Sequence, residues 1–113
     1  SRRSAIAAHY LEQLRDSGVG LPFVPEWAAP AWHLFVVTVP DRAVLQQQLT
    51  AAGVTTLIHY PIPPHLQQCY ADLGWKAGAF PIAEQMANQV LSLPIGPQLE
   101  TEELATVVRA LNR

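Results

Sequence analysis

The sequence predicts an α/β (α+β) fold in which a small three-stranded sheet is packed with helices. Three observations carry this. Apolar residues recur at helical spacing in several segments bounded by capping residues, glycine and proline. Between these segments lie two runs rich in β-branched and large apolar residues, Trp32 to Val39 and Val54 to Tyr60, and a third that alternates at Leu91, Leu93 and Ile95. Every junction carries turn residues. After an N-terminal helix the predicted order is β-α-β-α-α-β-α.

The first helix spans Ser4 to Ser17, with Ile6, Tyr10, Leu11 and Leu14 on one face, Ser4 as N-cap and Gly18 just past the end. Gly18 to Ala31 has three prolines and two glycines and no sustained period, so it is a connector. Trp32 to Val39 is apolar on both alternating sets, the pattern of a central strand covered on both faces, and Pro40 ends it. Asp41 caps a second helix with Leu45, Leu49 and Ala52 inward and Gln46 to Gln48 on the wet side, and Gly53 stops it. Leu66, Cys69, Tyr70 and Leu73 repeat at i, i+3, i+4, i+7 as a short third helix closed by Gly74. Pro81 opens a fourth helix with Ile82, Met86 and Val90 on its apolar face. Leu91 to Ile95 is a strand that Pro94 confines to an edge or an end. Thr101 caps the last helix, with Glu102 and Glu103 in its first turn and Leu104, Val107, Val108 and Leu111 inward.

At 113 residues the chain is sized for a single module. Charged residues make up 14% against a usual share of roughly 25%, while 50% are hydrophobic, so apolar surface facing a partner is expected. The net charge of −2 and the absence of a basic stripe argue against nucleic acid. One cysteine, Cys69, permits no internal disulfide. No apolar run approaches the ~20 residues of a membrane span and no signal peptide is evident, so no membrane role and a cytoplasmic location are expected. The chain opens at Ser1 without Met, as an excised or processed piece would.

The stretch richest in chemistry is Gly53 to Tyr70, where a β-rich run feeds two imidazoles, two phenols and three prolines. Proline fixes φ and removes a backbone donor, so such a loop holds its side chains at low entropic cost. His59, Tyr60 and His65 are the candidate binding residues, since imidazole and phenol offer hydrogen bonds together with flat apolar faces. The plainer reading has them satisfying backbone groups at a strand end. His59, His65 and Cys69 are a poor metal set, because a structural zinc needs four ligands and Cys69 fits the apolar stripe of its helix. A Cys–His nucleophile lacks a third, orienting group. Trp27, Trp32 and Trp75 read as core or contact residues, His33 as a core histidine and His9 as a solvated or interface one.

Several ordered motifs together resemble the C-terminal small domain of the DegT/StrS family of pyridoxal-phosphate-dependent nucleotide-sugar aminotransferases, of aspartate-aminotransferase-like fold. They are Trp32 to Val37, Gly53 to Gln67, Tyr70 to Trp75, Phe80 to Glu84 and Val90 to Ile95. Arg2, Arg3 and Ile6 to Leu14 look like the family's linking helix. The resemblance implies residues 1–31 as linking helix and connector and 32–113 as the small domain. It places His59 and Tyr60, and His65 beside them, near bound sugar nucleotide in the cleft between lobes.

In that family the large domain supplies the Schiff-base lysine, the carboxylate on the pyridinium nitrogen and most phosphate contacts. The one lysine here, Lys76, lies in the Trp75 to Gly78 loop, where the resemblance places no such residue. No catalytic and no cofactor-binding residue is therefore assigned to this chain, and pyridoxal phosphate is implied only for the full-length family. The expected function is that of an isolated substrate-side domain without transaminase activity alone. The alternative is a free-standing dimeric small-ligand or regulatory module. Expected partners are a nucleotide-linked sugar in the full-length context, an aminotransferase large domain and a second copy, the last covering an exposed face at Ile6, Tyr10 and Leu14.

Overall fold

The protein is described by a computed structural model over residues 1–112. Its elements are α1 (Arg2–Gln13), β1 (Phe35–Thr38), α2 (Arg42–Ala51), two 3₁₀ turns (Pro64–Leu66 and Gln68–Leu73), α3 (Pro81–Gln89), β2 (Val90–Leu93) and α4 (Thr101–Leu111). β1 and β2 pair antiparallel, with Phe35 opposite Leu93 and Thr38 opposite Val90. Single antiparallel bridges extend the sheet on both sides, Gly20 to Thr38 beside β1 and Leu57 to Ser92 beside β2. The architecture is thus the predicted mix of helices and a small sheet, with the 54–60 run reduced to its contact at Leu57.

Phe35 and Val37 face a core built with Ile6, Tyr10 and Leu14 of α1, Leu49 of α2, Leu91 and Leu93 of β2, and Leu104, Val107 and Leu111 of α4. On the opposite face of β1, Val36 looks toward Met86 and Ala87 of α3. Ile6, Tyr10 and Leu14 are each 0% exposed, which corrects the expectation that α1 presents an uncovered apolar face. Burying each such side chain contributes about 1.5–3 kcal/mol of transfer free energy, so α1 folds against its own chain. Guanidinium groups reinforce this: Arg2 donates to the Leu99 carbonyl, and Arg3 donates to those of Trp32 and His33.

Several local expectations are corrected. β1 starts at Phe35, because Trp32 has φ of 54° and breaks the extended run; His33 is consequently exposed and not a core histidine. Of the tryptophans read as core or contact residues, Trp32 packs on Phe35 at 5.4 Å, while Trp27, 87% exposed, and Trp75 stay outside the core, which leaves the contact reading for them untouched. The predicted third helix is a pair of 3₁₀ turns whose Leu66, Cys69, Tyr70 and Leu73 all face outward. Pro63 is extended just ahead of the first turn, and Gln67 is extended again between the two, so no α-helical ladder propagates. In α3 the buried residue is Ala87, with Ile82 77% exposed. α1 begins after Ser1 rather than Ser4, and α4 is capped by Glu100 in a capping box with Glu103.

Candidate functional site

The bridge at Leu57 decides where the candidate side chains go. Leu57 and Ser92 exchange backbone hydrogen bonds of 2.8 and 3.3 Å, which brings the following residues alongside β2. His59 Nδ1 then meets Ser92 Oγ at 2.8 Å, and among the described residues Nε2 has no hydrogen-bond partner. Ser92 is itself buried, so its hydroxyl needs that imidazole as a partner. The Tyr60 ring stands edge-on to His59 at 5.2 Å and is 69% exposed; the peptide between them is cis. The proline run that follows is pinned by Gln67, whose Nε2 donates to the Ile62 carbonyl.

His59 and Tyr60 line a groove of about 440 Å³ with Val36, Ile62 and Met86. Past a shared wall at Pro64 and Ala83 lies a second, aromatic groove of about 410 Å³, lined by His65, Tyr70, Leu73, Trp75 and Phe80. The structure therefore joins His59 and Tyr60 on one side of that wall and sets His65 on the other. The His65 side chain is only 7% exposed. It packs edge-on against Phe80 at 4.9 Å, and its Nε2 lies 3.3 Å from Glu84 Oε2, off the line of an aligned hydrogen bond.

Sequence reasoning missed two residues here. Ser92, read only as a strand position, is the anchor of His59. Glu84 accepts from the Gly78 N–H through both carboxylate oxygens at 2.9 and 3.0 Å, and from the Phe80 N–H at 3.2 Å. The Gly78 N–H above all, then the Phe80 N–H and the His65 imidazole, hold the Glu84 carboxyl below its ordinary value, against an opposing push from desolvation. A signal for it existed. Glu84 reaches back to the residue preceding α3 much as the acid of a capping box does, from one position further along.

Among the described residues no three His, Cys, Asp or Glu side chains converge, and Cys69 is exposed. No helix is long and apolar enough to cross a membrane. The chain's own residues do not fit pyridoxal phosphate. Its lysine, Lys76, is exposed on a loop, and Arg2, Arg3 and Arg42 are spent on backbone carbonyls, Arg42 on those of Ala87 and Val90 at the end of α3.

A sequence profile of the DegT/DnrJ/EryC1/StrS aminotransferase family matches residues 1–112. The chain belongs to that family. It is 52% identical over 112 residues to the erythromycin biosynthesis sensory transduction protein EryC1 of Saccharopolyspora erythraea, covering 98% of this chain and 31% of that protein. A dTDP-3-amino-3,6-dideoxy-alpha-D-galactopyranose transaminase of Aneurinibacillus thermoaerophilus is 47% identical, with 99% of this chain and 30% of the relative covered. The crystal structure of DesV from S. venezuelae in complex with a ketimine intermediate superposes with a TM-score of 0.95 at 46% identity, over 98% of this chain and 30% of that one. This family member thus spans about a third of the length of the curated relatives it matches.

Proposed function

We propose that the chain is the substrate-side small domain of a pyridoxal-phosphate-dependent nucleotide-sugar aminotransferase, with residues 1–31 as linking helix and connector and 32–113 as the small domain. The supporting observation is the close superposition on DesV over nearly all of this chain and 30% of the other. His59 and Tyr60 contact the sugar nucleotide. Nε2 of His59 has no hydrogen-bond partner among the described residues while Nδ1 is held by Ser92, and the exposed Tyr60 phenol offers a donor and acceptor above an apolar floor. His65 borders the same ligand from the adjoining groove.

The chain alone carries out no transamination, because its lysine and guanidinium groups do not assemble around a cofactor. Pyridoxal phosphate, when bound to the complete enzyme, supplies the electron sink for moving the amino group; this chain orients the sugar. A large domain and a second copy are its partners. With α1 buried, exposed apolar side chains such as Phe23, Trp27 and Ile82 offer surface to them. Its proposed location is the cytoplasm.

The test expresses the whole reading frame in which this sequence lies. The expected result is transaminase activity toward a dTDP-linked amino sugar, with pyridoxal phosphate absorption in the whole protein and none in residues 1–113. A whole protein without that activity ends the proposal.

A further inference from the structure

The loop between the second 3₁₀ turn and α3 has little of its own to hold it. Residues 74–80 are all exposed, and the one backbone hydrogen bond within them runs from the Ala79 N–H to the Lys76 carbonyl. Yet this loop carries Trp75 and Phe80, which meet edge-to-face at 5.1 Å and form the outer wall of the aromatic groove. What binds it to the body is Glu84, with Gly78 and Phe80 N–H groups on its carboxylate and His65 alongside.

We propose that Glu84 is the positioning residue of the aromatic groove: its carboxylate, backed by His65, ties the 74–80 loop to the start of α3 and so fixes Trp75 and Phe80 as the groove wall. A carboxylate suits this task because it accepts several N–H groups at once, whereas a neutral amide offers a single acceptor oxygen. Its place in the first turn of α3 favours the charged form further. Gly78, with φ of 93°, lets the loop turn its N–H back toward the carboxylate. Of the other titratable groups on the packed elements, Cys69, Tyr70 and Asp72 on the second 3₁₀ turn and Lys76 in the loop are exposed, and among the described residues none forms an ion pair with Glu84.

The tie is testable in the 113-residue chain by following the backbone amides of Gly78 and Phe80. Both should report one carboxylate titration as pH is lowered, because the tie is intact above the ordinary glutamate value of 4.5 and is lost as pH falls through the depressed value of Glu84. In Glu84→Gln that response should vanish and hydrogen exchange at both amides should quicken about tenfold, with Val37 and Leu91 in the sheet still protected. A Gly78 amide blind to carboxylate titration in the unaltered chain overturns the proposal, and this measurement stands even where the variant fails to fold. So does unchanged exchange in a folded Glu84→Gln. The consequence for ligand rests on the proposed function: in the whole enzyme, Glu84→Gln should raise KM for the nucleotide sugar about tenfold with kcat within about twofold. Faster exchange with unchanged KM removes the ligand from this groove and leaves the tie itself supported.

Discussion

The Tyr10 hydroxyl donates to the Pro94 carbonyl at 2.6 Å, joining the middle of α1 to the exit of β2 across 84 residues of sequence. The ring is fully buried and packs on Phe35 at 4.9 Å, so the phenol is both core filler and clasp. Burial pushes its pKa up from the ordinary 10.

Tyr10→Phe keeps the ring and removes the clasp. It should cost about 1 kcal/mol in urea denaturation, the net worth of one such bond. The alkaline limb is the second readout. A phenol whose folded value is raised contributes stability that is complete below the unfolded value near 10 and is lost as pH rises toward the folded one. That loss should be present in the original chain and smaller in Tyr10→Phe. Equal alkaline slopes would show that the phenol does not carry it.

Gly20 pairs with Thr38 through two backbone hydrogen bonds of 2.8 and 2.9 Å, and a Cβ at Gly20 would lie 2.1 Å from Thr38 Oγ1. Gly20→Ala should therefore cost about 1–3 kcal/mol as the connector is pushed off β1. Thr38→Ala removes the colliding hydroxyl and should recover most of that loss in the double variant. Simple additivity of the two changes would mean that the clash is not the cause.

His59→Ala leaves the buried Ser92 hydroxyl without its imidazole, a loss of about 1 kcal/mol in stability. If Nε2 faces the sugar nucleotide, the same change in the whole enzyme should lower kcat/KM about tenfold or more, and Tyr60→Phe should lower it less. Unaltered kinetics together with the stability loss would make His59 a structural partner of Ser92 and nothing else.

Pyridoxal phosphate mixed with the 113-residue chain should keep the spectrum of the free aldehyde, because Lys76 stands alone on an exposed loop. A new visible band that disappears in Lys76→Ala would contradict this.

The sequence alone determined the helices whose apolar stripe turns to the core, though not every cap. Leu104, Val107, Val108 and Leu111 of α4 are buried as the period requires, as is Leu49 of α2. Local periodicity sufficed there because each segment had only one face to bury. It also marked the 53–70 stretch as the candidate site, since proline and aromatic content is a local property. Tertiary structure decided the rest. Leu66, Tyr70, Leu73, Ile82 and Met86 have the spacing of a buried face, yet none of the described residues covers them, so they line grooves or face outward. The period of a segment says that a face is apolar, and only the position of other elements says whether anything covers it. Conversely, Ile6, Tyr10 and Leu14 are covered because β2 and α4, far away in sequence, close over α1. The partners of the site residues follow the same division: His59 finds Ser92 across 33 residues, and His65 finds Glu84, through packing that no local pattern encodes.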